Sequence, residues 1–192
     1  MAMSATIKCE LLIIGGSAGS LNMSLRILRL LKRTMNVAVI IVFHRKKSEE
    51  ATLIDLLSTR TELNVKEAED KDEIMGGTVY VAPADYHLLI EKDRTLSLDF
   101  SEKVNFSRPS IDVAIESASE VFGASLACVL LSGANADGVA GLAMAKRAGA
   151  RIIVQDPASA EFPIMPQHAV STVTVDFLIN ENNLGVLTDL LS

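Results

Sequence analysis

Short runs of consecutive apolar residues alternate along the chain with segments whose leucines fall at helical spacing. Glu10 to Gly16 (ELLIIGG) and Val37 to Phe43 (VAVIIVF) show no polar alternation, the pattern of parallel strands buried on both faces. Between them Leu21, Leu25, Leu28 and Leu31 recur every three or four residues, so a helix is predicted over Ser20 to Arg33, and a second over Glu49 to Ser58. The middle differs: Thr78 to Ala82 reads as a strand, and Tyr86 to Ile90 and Thr95 to Leu98 flank Glu91 to Arg94 as a β-hairpin. Pro109 sits where a helix over Ser110 to Val121 begins. The last third returns to alternation: strands at Ser125 to Leu131, Arg151 to Gln155 and Val173 to Leu178, and helices at Gly138 to Ala148, Pro166 to Ser171 and Asn182 to Leu191. The whole pattern predicts an α/β fold, a doubly wound, mainly parallel sheet of about seven strands with an appended β-hairpin. No repeat, low-complexity tract or linker divides residues 1–192, so one domain is expected.

Composition narrows the function classes. With 4% aromatic residues and no Trp, the core must be built from Leu, Ile, Val, Ala and Met. The net charge of −6 argues against nucleic acid as the main partner, because phosphate binding needs a basic face. Cys9 and Cys128 lie in apolar runs and read as buried free thiols rather than a disulfide framework. Met1 to Cys9 carries no signal pattern, and the apolar runs are strand length, so no membrane insertion and a cytoplasmic location are expected. With no Cys/His ligand cluster, neither a metal nor an organic cofactor is expected.

Open parallel sheets react at the carboxyl ends of their strands, so polar residues directly after apolar runs matter most. Ser17, His44, Asp137 and Asp156 occupy such places. Ser17 lies in Gly15-Gly16-Ser17-Ala18-Gly19, a G-x-S-x-G pattern. Small neighbours let the backbone turn sharply and substrate approach, and the following helix offers unpaired N–H groups to an oxyanion. The same turn also fits a phosphate cradle or an ordinary helix cap. A dinucleotide site is disfavoured, since the third glycine is out of register and the second strand ends in His44-Arg45 rather than an acidic residue. His44 can take a proton near neutral pH, whereas His87 and His168 read as structural or surface residues. Asp137, in Ser132-Gly133-Ala134-Asn135-Ala136-Asp137-Gly138, fits a carboxylate that orients an imidazole, and equally a helix cap. Asp156 competes with it on position, and pattern alone does not separate the two.

Five blocks together resemble one family, the catalytic domain of chemotaxis protein-glutamate methylesterases (CheB): IGGSAGS (14–20), GTVYVAPADYHLLIE (77–91), SRPSIDVAIESA (107–118), LSGANADGVAGL (131–142) and VQDPASAEFPIMP (154–166). The resemblance implies Ser17 as nucleophile, His44 as general base and Asp137 as its orienting carboxylate. It implies hydrolysis of glutamate γ-methyl esters on the cytoplasmic helices of methylated chemoreceptors, releasing methanol, with glutamine deamidation as a companion activity. Departures fall around the serine and in the aspartate loop: Ala18 stands where the family has Thr, and Ala134 where it has Met. Oxyanion donors near Ala18 and Ala134 survive such changes if they are backbone N–H groups, and Arg108 is a further candidate for positioning substrate. A basic rim of Arg26, Arg29, Lys32, Arg33, Arg45, Lys46 and Lys47 could steer acidic receptor helices. About nine residues precede the first strand, so a stand-alone form lacking the family's receiver domain is expected, unless the sequence is a trimmed piece of a longer protein; such a form is either constitutively active or controlled by a regulatory partner in trans. The alternatives are a CheB-like binding or adaptor module with weakened catalysis, and an esterase acting outside chemotaxis.

Overall fold

The structure, a computed structural model, describes residues 8–44 and 50–191, with side chains from Thr52 onward in the second span. Its elements run β1 (Leu11–Gly16), α1 (Leu21–Leu30), β2 (Ala38–Phe43), α2 (Glu50–Ser58), β3 (Asn64–Glu67), β4 (Thr78–Val81), β5 (His87–Ile90), β6 (Leu96–Asp99), α3 (Ile111–Phe122), β7 (Leu126–Leu130), α4 (Val139–Arg147), β8 (Arg151–Gln155), α5 (Ile164–Thr172), β9 (Phe177–Ile179) and α6 (Val186–Leu191). Seven strands form one sheet in the order β3-β4-β2-β1-β7-β8-β9, and every pairing within it is parallel. β5 and β6 form the separate antiparallel hairpin. The expected doubly wound α/β architecture is therefore present.

Strand alternation builds two cores. Leu11 and Ile13 of β1, Ile40 and Val42 of β2, and Cys128 and Leu130 of β7 face the layer of α3, α4, α5 and the hairpin. Leu12 and Ile14, Ile41 and Phe43, and Val129 and Leu131 face α1, α2 and α6. Being buried on both faces, these strands show apolar runs rather than alternation. Strand order reverses beside β1, since the chain moves from β1 to β2 on one side and reaches β7 on the other. The carboxyl ends of β1, β2 and β7 meet at that switch point, where an open sheet leaves a crevice.

The last helix starts later than expected, at Val186, and four other departures have local reasons. Helix α1 stops at Leu30 because Leu31, fully buried, leaves it in extended conformation, and a single 3-10 turn at Arg33–Met35 follows. β3 is an unexpected edge strand whose Asn64, Lys66 and Glu67 carry no apolar signal. α5 begins at Ile164 and holds Pro166 in its first turn, where proline's missing N–H has no partner to lose. The last strand is confined to Phe177–Ile179 because the Asp176 side chain accepts the Ile152 N–H at 2.7 Å in place of a longer ladder. Among the described residues no helix is long and apolar enough to cross a membrane.

Candidate active site

Ser17 is the first residue after β1, at a turn whose geometry depends on small side chains. Its N–H donates to Ser132 O (2.9 Å), which ties the β1 loop to the β7 loop. The Ser132 hydroxyl donates to Ala18 O (2.8 Å), and the Ser20 hydroxyl to Ser17 O (2.6 Å). Gly19 has φ +76, and a Cβ there would stand 2.7 Å from Ser132 Oγ and 2.8 Å from Glu161 Cβ, so both conformation and space require glycine. Ser17 is half-buried, while Ala18 and Ala134 are exposed. The backbone N–H groups of Ala18 and Ala134 meet no acceptor among the described residues.

His44 follows β2, whose last residue, Phe43, is in register with Gly16, and its N–H donates to Gly16 O (3.3 Å). The imidazole Nε2 lies 2.7 Å from Asp137 Oδ2; the His44 side chain is 13% exposed and that of Asp137 fully buried. Among the described residues no hydrogen bond joins the Ser17 hydroxyl to the imidazole. Nδ1 lies 3.5 Å from the side-chain nitrogen of Asn135, whose Oδ1 accepts the Asp137 N–H at 3.1 Å. A carboxylate at Nε2 makes that nitrogen the proton carrier, which leaves the Nδ1 lone pair as the acceptor.

Asp137 is held by more than histidine. The Ser110 hydroxyl donates to Oδ1 (2.8 Å), the Ile111 N–H to Oδ2 (2.7 Å) and the Asp112 N–H to Oδ1 (3.2 Å). The unpaired N–H groups at the start of α3 thus point at the carboxylate, where the helix dipole favours negative charge. Burial alone would raise the acid's pKa, but hydrogen bonds from His44, Ile111 and Ser110 hold it below the ordinary value. Asn105 Nδ2 adds a 3.3 Å contact to Asp137 and a 2.8 Å bond to Asp112. Burial, and then the Asp137 charge, push Asp112 up to about 6, although the Gly141 N–H opposes them.

The other candidates separate clearly. Asp156, left level with Asp137 by pattern, caps the 3-10 turn Pro157–Ser159 by accepting the Ala158 N–H (3.0 Å). His87 is buried and structural: Nδ1 accepts the Ser110 N–H (3.1 Å) and Nε2 lies 2.9 Å from Glu102 O. His168 is exposed. The Arg108 guanidinium lies 3.8 Å over the Phe100 ring and donates to the carbonyls of Phe100 and Ser101, so it braces the loop from the hairpin to α3. Arg26 pairs with Glu181 (3.2 Å) and Lys32 with Glu62 (2.7 Å), while Arg45, Lys46 and Lys47 lie outside the described residues. Asn135, Asn105 and Ser110 were not singled out from sequence. Their one signal was position, close to Asp137 or at a helix start. Among the described residues no group of three or more His, Cys, Asp or Glu could hold a metal.

Comparison with known proteins matches the chain to one family. The CheB methylesterase family profile covers residues 12–186. A Leptospira interrogans protein, provisionally named a protein-glutamate methylesterase/protein-glutamine glutaminase, is 43% identical over 93% of this chain and 92% of its own length. A Sulfurimonas denitrificans protein-glutamate methylesterase/protein-glutamine glutaminase is 35% identical over 95% of this chain, which spans 53% of that longer protein. The crystal structure of the Thermotoga maritima CheB methylesterase catalytic domain superposes with a TM-score of 0.88 at 27% identity, covering 96% of this chain and 98% of that one. With profile, relatives and backbone in agreement over nearly the whole chain, the protein belongs to the CheB methylesterase family.

Proposed function

We propose that the protein is a cytoplasmic serine hydrolase that removes methyl groups from glutamate γ-methyl esters of chemoreceptors. Ser17 Oγ attacks the ester carbonyl while its proton passes to His44 Nδ1, and Asp137 stabilises the imidazolium. The N–H groups of Ala18 and Ala134 receive the oxyanion. His44 returns the proton to the departing methoxide, which leaves as methanol. Water, activated by the same imidazole, then splits the acyl-enzyme to the free glutamate and regenerates Ser17. Attack on a glutamine side-chain amide releases ammonia by the same route, and the names of the relatives include that activity.

The observation that carries this reading is the His44–Asp137 hydrogen bond of 2.7 Å, which puts the proton on Nε2 and leaves the Nδ1 lone pair as the base next to the Ser17 turn. Methanol release from methylated receptor membranes tests it. Ser17→Ala and His44→Ala should each lower kcat by about 10⁴-fold or more, and release undiminished in Ser17→Ala would sink the assignment. One observation favours a second reading, an adaptor that keeps the fold with weakened catalysis: Nδ1 meets Asn135 rather than Ser17. That adaptor would take no label from a fluorophosphonate probe, whereas the hydrolase is labelled and Ser17→Ala is not.

A further inference from the structure

The segment joining the hairpin to α3 turns back on itself beside the candidate site. Val104 and Ser107 exchange backbone hydrogen bonds (3.2 and 2.9 Å) around Asn105 and Phe106. Both central residues have positive φ, +50 at Asn105 and +63 at Phe106, the pattern of a type I′ turn. Asparagine suits the first position, but the second normally takes glycine, because a side chain there crowds the backbone. A phenylalanine held so is strained, and such strain persists where surrounding structure fixes it. Here Asn105 fixes it, because its amide bonds Asp112 and reaches Asp137.

The ring gains nothing from folding, since Phe106 is 98% exposed. An aromatic side chain that is left in water, on a strained turn anchored one residue away to the His44 partner, is placed to touch something outside the chain. We infer that Phe106 is a specificity-determining contact for the protein that carries the glutamyl methyl ester. This rests on the esterase reading above. A glutamyl side chain is short, so an ester seated at Ser17 brings the main chain of its protein against the loops that rim the site. This turn is one of those loops. A large aromatic surface offers contact area at little entropic cost, as at the centre of other interfaces.

The test is Phe106→Gly, which places the preferred residue in the turn. Its melting temperature should equal or exceed that of wild type. On methylated receptor membranes KM should rise about tenfold, with kcat within about twofold, and Phe106→Tyr should keep the wild-type KM. An unchanged KM in Phe106→Gly overturns the inference. So does a ring that serves self-association, seen as a dimer lost in Phe106→Gly while KM stays. Ser17→Ala run alongside separates the two ideas: methanol release that survives it removes the esterase reading and this inference together, whereas release that it abolishes leaves Phe106 to be judged by KM alone.

Discussion

Asp112 and Asp137 share the Asn105 amide, yet their environments drive them apart. Asp137 faces the α3 N–H groups and His44 and sits below the ordinary carboxylate value, so the stability it contributes is fully present above about pH 4 and is lost only as pH falls below that, toward its lowered folded value. Asp112 is raised from 3.8 to about 6, so its folded form holds a proton that the unfolded chain releases. Its contribution is present at low pH and is lost as pH rises from about 4 to about 6. Asp112→Asn removes that slope while keeping an oxygen for the Gly141 N–H, which Asp112 Oδ1 accepts at 2.7 Å. The melting temperature of this variant relative to wild type should therefore climb between pH 4 and 6 and stay level above; a flat difference would show that Asp112 does not carry the proton. Asp137→Asn should instead lower kcat by about 10⁴-fold, because an amide can fix the wrong imidazole tautomer, as methanol release would read. Sequence position picked out Ser17, His44 and Asp137, since each lies directly after a buried strand or in the loop that follows one. It could not rank Asp137 above Asp156, because what separates them is the start of α3, a long-range partner invisible to local pattern.

Helix α3 reaches the site because β1 lets it come close. A Cβ on Gly15 would stand 2.6 Å from Ile111 Cγ2 and 3.3 Å from Leu130 Cδ1, nearer than packed atoms allow. Gly15→Ala must therefore push Ile111, whose N–H holds Asp137 at 2.7 Å. Overpacking of this kind costs about 1–3 kcal/mol, so the variant should melt lower and lose kcat together. Gly185→Ala is the control: nothing lies within 4 Å of the added carbon, and its stability should stay within about 0.5 kcal/mol of wild type. A Gly15→Ala variant that melts like the control would mean that α3 has room to spare. Elements of this kind were legible in proportion to their burial. β1, β2 and β7 announced themselves as unbroken apolar runs, whereas β3, polar and at the edge, had no periodic signal to give. The turn at Val104–Ser107 was missed because a type I′ pattern is recognised by a glycine that Phe106 replaces.

The two layers of the molecule share a single sheet, and two thiols report on them separately. Cys128 of β7 faces the α3–α4–α5 side and Cys9 the α1–α2–α6 side, and both are fully buried. Burial pushes Cys9 up to about 11 and Cys128 higher still, so in the folded protein neither forms the thiolate that attacks a disulfide reagent. Each reacts only when its surroundings open, which makes Cys9→Ala and Cys128→Ala variants probes of one core each. β1 is paired with both β2 and β7, and its side chains alternate between the layers, Leu11 and Ile13 to one and Leu12 and Ile14 to the other. Neither layer can come apart without stripping the strand that completes the other. The remaining thiol in each variant should thus become reactive at the same denaturant concentration relative to that variant's own loss of helical signal, as a single cooperative unit requires. A Cys9 that labels well before Cys128 would mean that the α1–α2–α6 layer opens alone. In that case Ser17, on the turn between β1 and α1, would part from the His44–Asp137 pair before the sheet itself unfolds, and esterase activity would disappear ahead of global melting.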